Sequence, residues 1–170
     1  NAWDHFTPIE ETMRAFDDLV SAGKVRYVGL SDSPAWKIAE AHTIAKFRGW
    51  APVAAIQIEY SLLQRTVEGE LIPMARELGL GICNWGPLRG GVLSGKFTRA
   101  TAAEAAPRRS GMVQPPSERA YGVIEAVEEI ARVRGTSVAA VALSWVRHRP
   151  GITAPIIGAR TLAHLEANLA

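Results

Sequence analysis

The chain has little of several things, and each scarcity excludes something. A single cysteine, Cys83, stands among 170 residues. It rules out a disulfide framework within the chain and fits a reducing compartment. No apolar run approaches the ~20 residues that span a bilayer, and the first residues lack the basic stretch and apolar run of a signal peptide. Net charge is only +2, so no field of one sign calls for nucleic acid or an anionic membrane surface. His5, His42 and His148 read as surface residues without metal-ligand spacing. The composition predicts a soluble, cytoplasmic, globular protein with no metal, nucleic acid or membrane as partner. Its length supports one compact domain with a real core.

What is present is an alternation of helix and strand. Thr7, Pro8 and Glu10 spell a capping box at the start of a helix over about 8–22, with Ile9, Met13, Phe16, Leu19 and Val20 as its apolar stripe and Gly23 as its stop. "KVRYVGLSD" reads as a strand. A helix from Ser33-Pro34 to Arg48 follows, stopped by Gly49, and "PVAAIQIEY" is the second strand. A helix over about 67–78 leads to the strand "LGICNW". After a long segment at 86–117, rich in Gly, Ala, Arg and Pro, come helices over about 118–133 and 138–147, the second capped by Thr136 or Ser137. "TAPIIGA" is the last strand, and a helix starts after Thr161. The strands are continuous apolar runs, as expected when both faces of a parallel sheet are covered. The first three recur every ~27 residues, the size of one strand–helix unit. A connector as long as 86–117 is expected to be functional or disordered.

In parallel α/β architectures, ligands bind beyond the carboxyl ends of the strands. Those ends read Ser31-Asp32, Gln57 to Tyr60, Asn84-Trp85 and Gly158-Ala159-Arg160. Ser, Asp, Gln and Asn supply hydrogen bonds suited to an amide. Trp85 offers a flat face. Arg160 precedes a helix start, where free N–H groups favour an anion. An amide, a planar ring and a phosphate together describe a nicotinamide nucleotide. Each residue also has a plainer reading: Ser31 and Asp32 as cap and turn, Trp85 as core or pocket wall, Arg160 as a solvated loop residue. Gln57 inside an apolar strand needs partners. In "GPLRGGVLSGKF", three glycines allow close backbone approach to a ligand, and Arg89 and Lys96 add positive charge. The spacing is not that of a P-loop.

The stretches "WDHFTPIEET", "GKVRYVGLSDSPAW", "QIEYSLLQRTVEGELIPMARELGLGI", "WGPLRGGVLSGKF" and "PIIGARTLAHLEANL" resemble the aldo-keto reductase superfamily. They are most similar to the branch of potassium-channel β-subunits and bacterial NADP-dependent reductases. The resemblance covers nearly the whole chain. It implies an α/β fold of the (β/α)8 TIM-barrel type, of which about the later half is present, with about four parallel strands. It also implies NADP(H) as cofactor and an aldehyde or ketone as the small-molecule substrate. By the same resemblance Ser31, Asp32 and Gln57 hold the nicotinamide carboxamide, Trp85 stacks on the ring, and Gly86, Leu88 and Gly90 run along the pyrophosphate. Gly158, Ala159, Arg160 and Asn168 clasp the adenosine and its 2′-phosphate, with His164 where Gln is frequent.

The departures bear on activity. The family's catalytic Asp, Tyr and Lys lie on earlier strands that have no counterpart here, and Asn1 stands at the position of its catalytic His. Asn1 cannot donate a proton as an imidazolium does. Residues 1–170 are thus expected to form a single partial reductase domain, with 86–117 as a long loop over the cofactor site. A half barrel leaves unpaired strand edges, and a whole one takes about 250 residues. The expected outcomes are part of a longer protein, a homo-oligomer through the open edges, or a marginal fragment. Three readings follow: a reductase given as its cofactor-binding half, a non-catalytic nucleotide-binding regulatory module, or a degenerate half barrel that binds nothing.

Overall fold

The computed structural model describes residues 3–99, 101 and 116–169. Asn1 and residues 102–115 of the segment at 86–117 lie outside them. Among the described residues the chain forms four strands, six α-helices and two short 3₁₀ segments. β1 (Val28–Ser31), β2 (Val53–Glu59), β3 (Gly81–Trp85) and β4 (Ala154–Pro155) make one parallel sheet in chain order. The alternation with α1 (Ile9–Ser21), α2 (Ala35–Arg48), α3 (Leu71–Glu77), α4 (Glu118–Arg134), α5 (Val138–Arg147) and α6 (Leu162–Leu169) is that of a partial (β/α) barrel. The chain groups into two compact units, Asn1–Ile58 with Thr66–Cys83, and Glu59–Arg65 with Asn84–Ala170.

In the first unit, α1 packs on α2 and α2 on α3. Met13, Ile38, Ala41, Ala45, Ile56 and Ala75 are fully buried. α2 ends where Gly49 takes a left-handed conformation, φ 68°, as its sequence predicts. The loop that follows is fastened by the Ala51 N–H, which donates to Asp17 Oδ1 of α1 at 2.8 Å. The capping box does not form. Helix α1 begins at Ile9 with no side-chain cap. The Thr7 hydroxyl donates instead to the carboxylate of Asp4, which also accepts the Phe6 N–H at 2.8 Å. An aspartate three residues upstream is a stronger acceptor than the capping geometry offers, so it takes the hydroxyl.

The pairing of β1 with β2 carries an irregularity that decides which residues leave the core. Val28 pairs with Val53, but Gly29 pairs with Ala55, so β2 holds one extra residue. Such a bulge shifts the period-two phase of a strand. Val53 is buried, and so are Ile56 and Ile58, while Gln57 and Glu59 are only partly so. Without the extra residue, Gln57 would share the face of Val53. The bulge also brings the Ala55 carbonyl close to Gly29. A Cβ at Gly29 would lie 2.9 Å from that oxygen.

The second unit has its own core, in which Val92, Leu93, Phe97, Tyr121, Ile124 and Ala142 cluster. Ser137 caps α5 by accepting the Ala140 N–H at 3.0 Å, and Ser117 caps α4 through Ala120. Tyr60 is fully buried, with its ring 5.5 Å from that of Trp145. Two elements are shorter than their sequence pattern predicts. Only Ala154–Pro155 of "TAPIIGA" is strand, in keeping with two prolines' worth of missing or misplaced donors around Pro150 and Pro155. The 67–78 helix divides into a 3₁₀ turn, Thr66–Glu68, and α3. His42 is half-buried rather than on the surface, with its Nδ1 unpartnered among the described residues.

Two glycine substitutions test this packing with opposite signs. Gly29→Ala is expected to destabilise the protein by about 1–3 kcal/mol through overpacking at the bulge. Gly122→Ala, in α4 with nothing within 4 Å of a new Cβ, is expected to stabilise by about 0.5–1 kcal/mol. Urea unfolding midpoints measure both, and an unshifted midpoint for Gly29→Ala would contradict the close approach at Ala55. The hydrogen bond from Thr7, and next the Phe6 N–H, hold the Asp4 carboxyl below the usual aspartate range. The N-terminal turn therefore keeps this support above the ordinary aspartate pKa and loses it as pH falls through the lowered one. An NMR titration of the Asp4 carboxyl is expected to move upward in Thr7→Val.

Candidate cofactor-binding site

The strand-end residues fall into two groups, one in each unit. In the first unit, the register places Ser31 directly beside Gln57, and the Asp32 N–H donates to the Gln57 carbonyl at 3.1 Å. The Ser31 hydroxyl donates to Asp32 Oδ2 at 3.4 Å, and the Ser33 hydroxyl caps the turn by donating to the Ser31 carbonyl at 3.1 Å. Asp32 takes a left-handed backbone, φ 45°. For a non-glycine residue this costs on the order of 1 kcal/mol, and Asp is among the residues that tolerate it. The Gln57 side-chain amide has no hydrogen-bond partner among the described residues and is half-buried. This group therefore combines a hydroxyl, a carboxylate and an uncommitted amide, a donor and acceptor set that suits a carboxamide. Ser31 also lines a cleft of about 250 Å³ with Trp3, Asp4, Phe16, Leu30 and Ser33. The cleft runs along β1, the terminal strand of the sheet.

In the second unit, Trp85 closes β3 and is half-buried. The Tyr60 N–H donates to the Trp85 carbonyl at 3.2 Å, and the Ile156 N–H donates to the Asn84 carbonyl at 2.8 Å. The second of these bonds sets the residues after β4 beside the end of β3, so Trp85 and the Gly158–Arg160 segment leave from neighbouring strand ends. Asn84 does not share the rim with Trp85. It is fully buried, and its Nδ2 donates to the Tyr60 carbonyl at 3.0 Å. The period of two sends alternate residues of β3 to opposite faces, and the Asn84 Oδ1 has no hydrogen-bond partner among the described residues.

The loop after Trp85 is shaped by left-handed residues. Gly86, Gly90 and Gly91 have φ of 66°, 64° and 99°, and Arg89, which has a Cβ, has φ 49°. The Arg89 N–H donates to the Gly86 carbonyl at 2.8 Å, and the Gly91 N–H to the Leu88 carbonyl at 3.0 Å. No described residue accepts from the N–H of Leu88 or Gly90. Two uncommitted backbone donors in a tight glycine-rich turn form a cradle suited to an anion. Sequence reasoning counted Arg89 only as added positive charge and Glu59 only as part of a strand end; it missed that the two form an ion pair. The signal was present: Glu59 follows Gln57 by two positions and so shares its side of β2. Gly158, Ala159, Arg160 and His164 are exposed, Asn168 is half-buried, and Arg160 has no ionic partner among the described residues. The Thr161 hydroxyl caps α6 by accepting the His164 N–H at 3.2 Å. Arg160 thus stands one residue before a capped helix start.

The tyrosine side chains take other places. Tyr60 is sealed against Trp145, Tyr121 lies in the helical core, and Tyr27 is 82% exposed ahead of β1. Asn1 lies outside the described residues. Among the described residues no cluster of His, Cys, Asp and Glu could hold a metal, and no helix is long and apolar enough to cross a membrane.

The geometry agrees with the relationships of the sequence. The family model "Aldo/keto reductase family" matches residues 1–170. An uncharacterized oxidoreductase of Bacillus subtilis is 38% identical over 163 residues, covering 96% of this chain and 49% of that protein. Norsolorinic acid reductase of Aspergillus flavus is 32% identical over 167 residues, covering 98% of this chain and 41% of that protein. An aldo-keto reductase of Fusarium vanettenii is 35% identical over 170 residues, covering 99% of this chain and 45% of that protein. The chain thus spans about half the length of the curated relatives it matches. With a parallel sheet in chain order, strand-end polar groups and a match along its whole length, the chain belongs to the aldo/keto reductase family.

Proposed function

We propose that this chain is the NADP(H)-binding portion of an oxidoreductase that reduces aldehydes or ketones. The observation that carries the reading is the register pair of Ser31 with Gln57. These two residues are 26 positions apart in the sequence, and the strand pairing brings them side by side with the Gln57 amide uncommitted. Ser31, Asp32 and Gln57 take the carboxamide. Trp85 offers its face to the nicotinamide ring. The free N–H groups of Leu88 and Gly90 take the pyrophosphate, with Gly86 completing the turn. Arg160 takes the 2′-phosphate, supported by the start of α6 and flanked by Gly158, Ala159, His164 and Asn168. The bound cofactor would supply the hydride to a carbonyl carbon.

Negative charge builds on the carbonyl oxygen during that transfer, and a hydrogen-bond donor or acid must meet it there. The described residues offer no tyrosine placed to do so, since Tyr60 is buried. Binding and proton donation therefore reside in different stretches of sequence. The same burial of Tyr60 favours a second reading, a nucleotide-binding module without turnover.

Two measurements test this. NADPH added to the purified 170-residue chain is expected to quench tryptophan fluorescence, and stopped-flow mixing of that complex with 4-nitrobenzaldehyde is expected to give little or no NADPH oxidation. Absence of quenching at high micromolar protein would contradict both readings, and robust oxidation would contradict the account of the acid. Arg160→Ala is expected to weaken NADPH about tenfold, the loss of one charge-assisted contact, and to leave NADH nearly unchanged. An equal effect on the two nucleotides would remove the 2′-phosphate role.

A further inference from the structure

We propose that Glu59 is a positioning residue of the dinucleotide site, whose carboxylate fixes the Gly86–Arg89 turn in the form that presents its backbone donors to a pyrophosphate. The inference rests on the cofactor reading above and adds a residue to it.

Glu59 ends β2, and the peptide after it is anchored by the bond from the Tyr60 N–H to the Trp85 carbonyl. Its side chain is 21% exposed and pairs with the Arg89 guanidinium. The same side chain lies along Gly86: a Cβ at Gly86 would sit 3.5 Å from Glu59 Cγ and 3.6 Å from Oε1. Gly86 and Arg89 are the two ends of one turn, joined by the Arg89 N–H donating to the Gly86 carbonyl at 2.8 Å. One side chain therefore pairs with one end of the turn and occupies the space beside the other.

The turn needs such a hold. Arg89 adopts φ 49°, a backbone that an arginine leaves readily when nothing keeps it there. Gly90 and Gly91 follow in left-handed conformations and have wide freedom of their own. Fixing Arg89 fixes the plane of the Arg89–Gly90 peptide, and with it the direction of the Gly90 N–H. The Leu88 N–H sits within the closed turn and is oriented by the same closure.

Charge alone predicts the opposite of position. A carboxylate near a pyrophosphate repels it, so a purely electrostatic Glu59 would bind NADPH more tightly once its charge was removed. A positioning Glu59 would bind it less tightly. The sign of the effect separates the two.

The experiment measures dissociation constants of NADPH and of 2′-AMP by calorimetry, with apo melting temperatures, for wild type, Glu59→Ala, Glu59→Gln and Arg89→Gln. 2′-AMP carries the adenosine phosphate but no pyrophosphate. Glu59→Ala is expected to weaken NADPH at least tenfold while 2′-AMP stays within twofold. Glu59→Gln, which keeps an acceptor at the same reach for Arg89, is expected to retain affinity between the two. Arg89→Gln removes the other partner from the more exposed side and is expected to give the same NADPH-selective loss. The proposal is overturned if Glu59→Ala binds NADPH as tightly as wild type or more so, or if both nucleotides are lost in parallel. A wild-type chain that binds neither nucleotide would overturn the cofactor reading itself, whereas wild-type binding matched by Glu59→Ala would remove only the role of Glu59.

Discussion

One extra residue in β2 governs what the rest of the strand can do. An apolar run such as Val53 to Ile58 has no intrinsic preference for which of its alternate residues faces the helices. Strict alternation from the buried Val53 would carry Ala55 and Gln57 into the core, where an amide without partners costs on the order of 1–3 kcal/mol. The bulge beside Gly29 resets the phase, so that Ile56 and Ile58 fill the core and Gln57 and Glu59 face away from it. Gly29 is the enabling residue, because the carbonyl of its partner Ala55 occupies the space of a Cβ. A register slip of one residue would exchange the two faces along the whole strand. The polar strand ends of the first unit exist because that slip is blocked.

The second unit solves a different problem by a different means. A turn that leaves backbone N–H groups unpaired, as at Leu88 and Gly90, requires conformations that side chains resist. Glycine at 86, 90 and 91 removes the resistance but also the rigidity. The ion pair of Arg89 with Glu59 returns some of the rigidity without filling the turn. Ser94 contributes in the same direction, its hydroxyl donating to the Gly91 carbonyl at 2.6 Å. The loop thus combines permissive backbone with polar side chains that restrict it.

These two devices differ in how far the sequence announces them. Helix ends are legible where a single residue decides them, as with left-handed Gly49 and Gly135 or the Ser137 hydroxyl on the Ala140 N–H. The capping box at Thr7 is misleading because the same hydroxyl has a charged competitor in Asp4, and a motif read as isolated letters does not rank acceptors. Strand ends are legible as positions, which is why Ser31 and Gln57 can be picked out. Their adjacency is not, since it depends on the bulge, and "VAAI" carries no mark of which residue is extra. Asn84 shows the cost of that limit. Its amide chemistry matches that of its neighbours along the rim, but the pleat turns it inward to the Tyr60 carbonyl. The Glu59–Arg89 pair is hidden for a related reason: its partners are 30 residues apart and meet only because β2 and the loop after β3 are neighbours.

Family membership and the position of the tyrosines together restrict how catalysis can be organised. Binding a dinucleotide needs many weak, distributed contacts, which strand ends and loops supply from many points along a chain. Proton donation needs one group held at one place, within hydrogen-bond reach of the reacting oxygen. Tyr60 illustrates how a scaffold position uses such a group otherwise: fully buried with its ring 5.5 Å from that of Trp145, it packs the interior. The chain spans about half the length of its curated relatives, and distributed contacts divide along a sequence more readily than one localised group does. Affinity for the cofactor and turnover of the substrate are separable properties in this architecture, because the strands that create the first need not be those that carry the second.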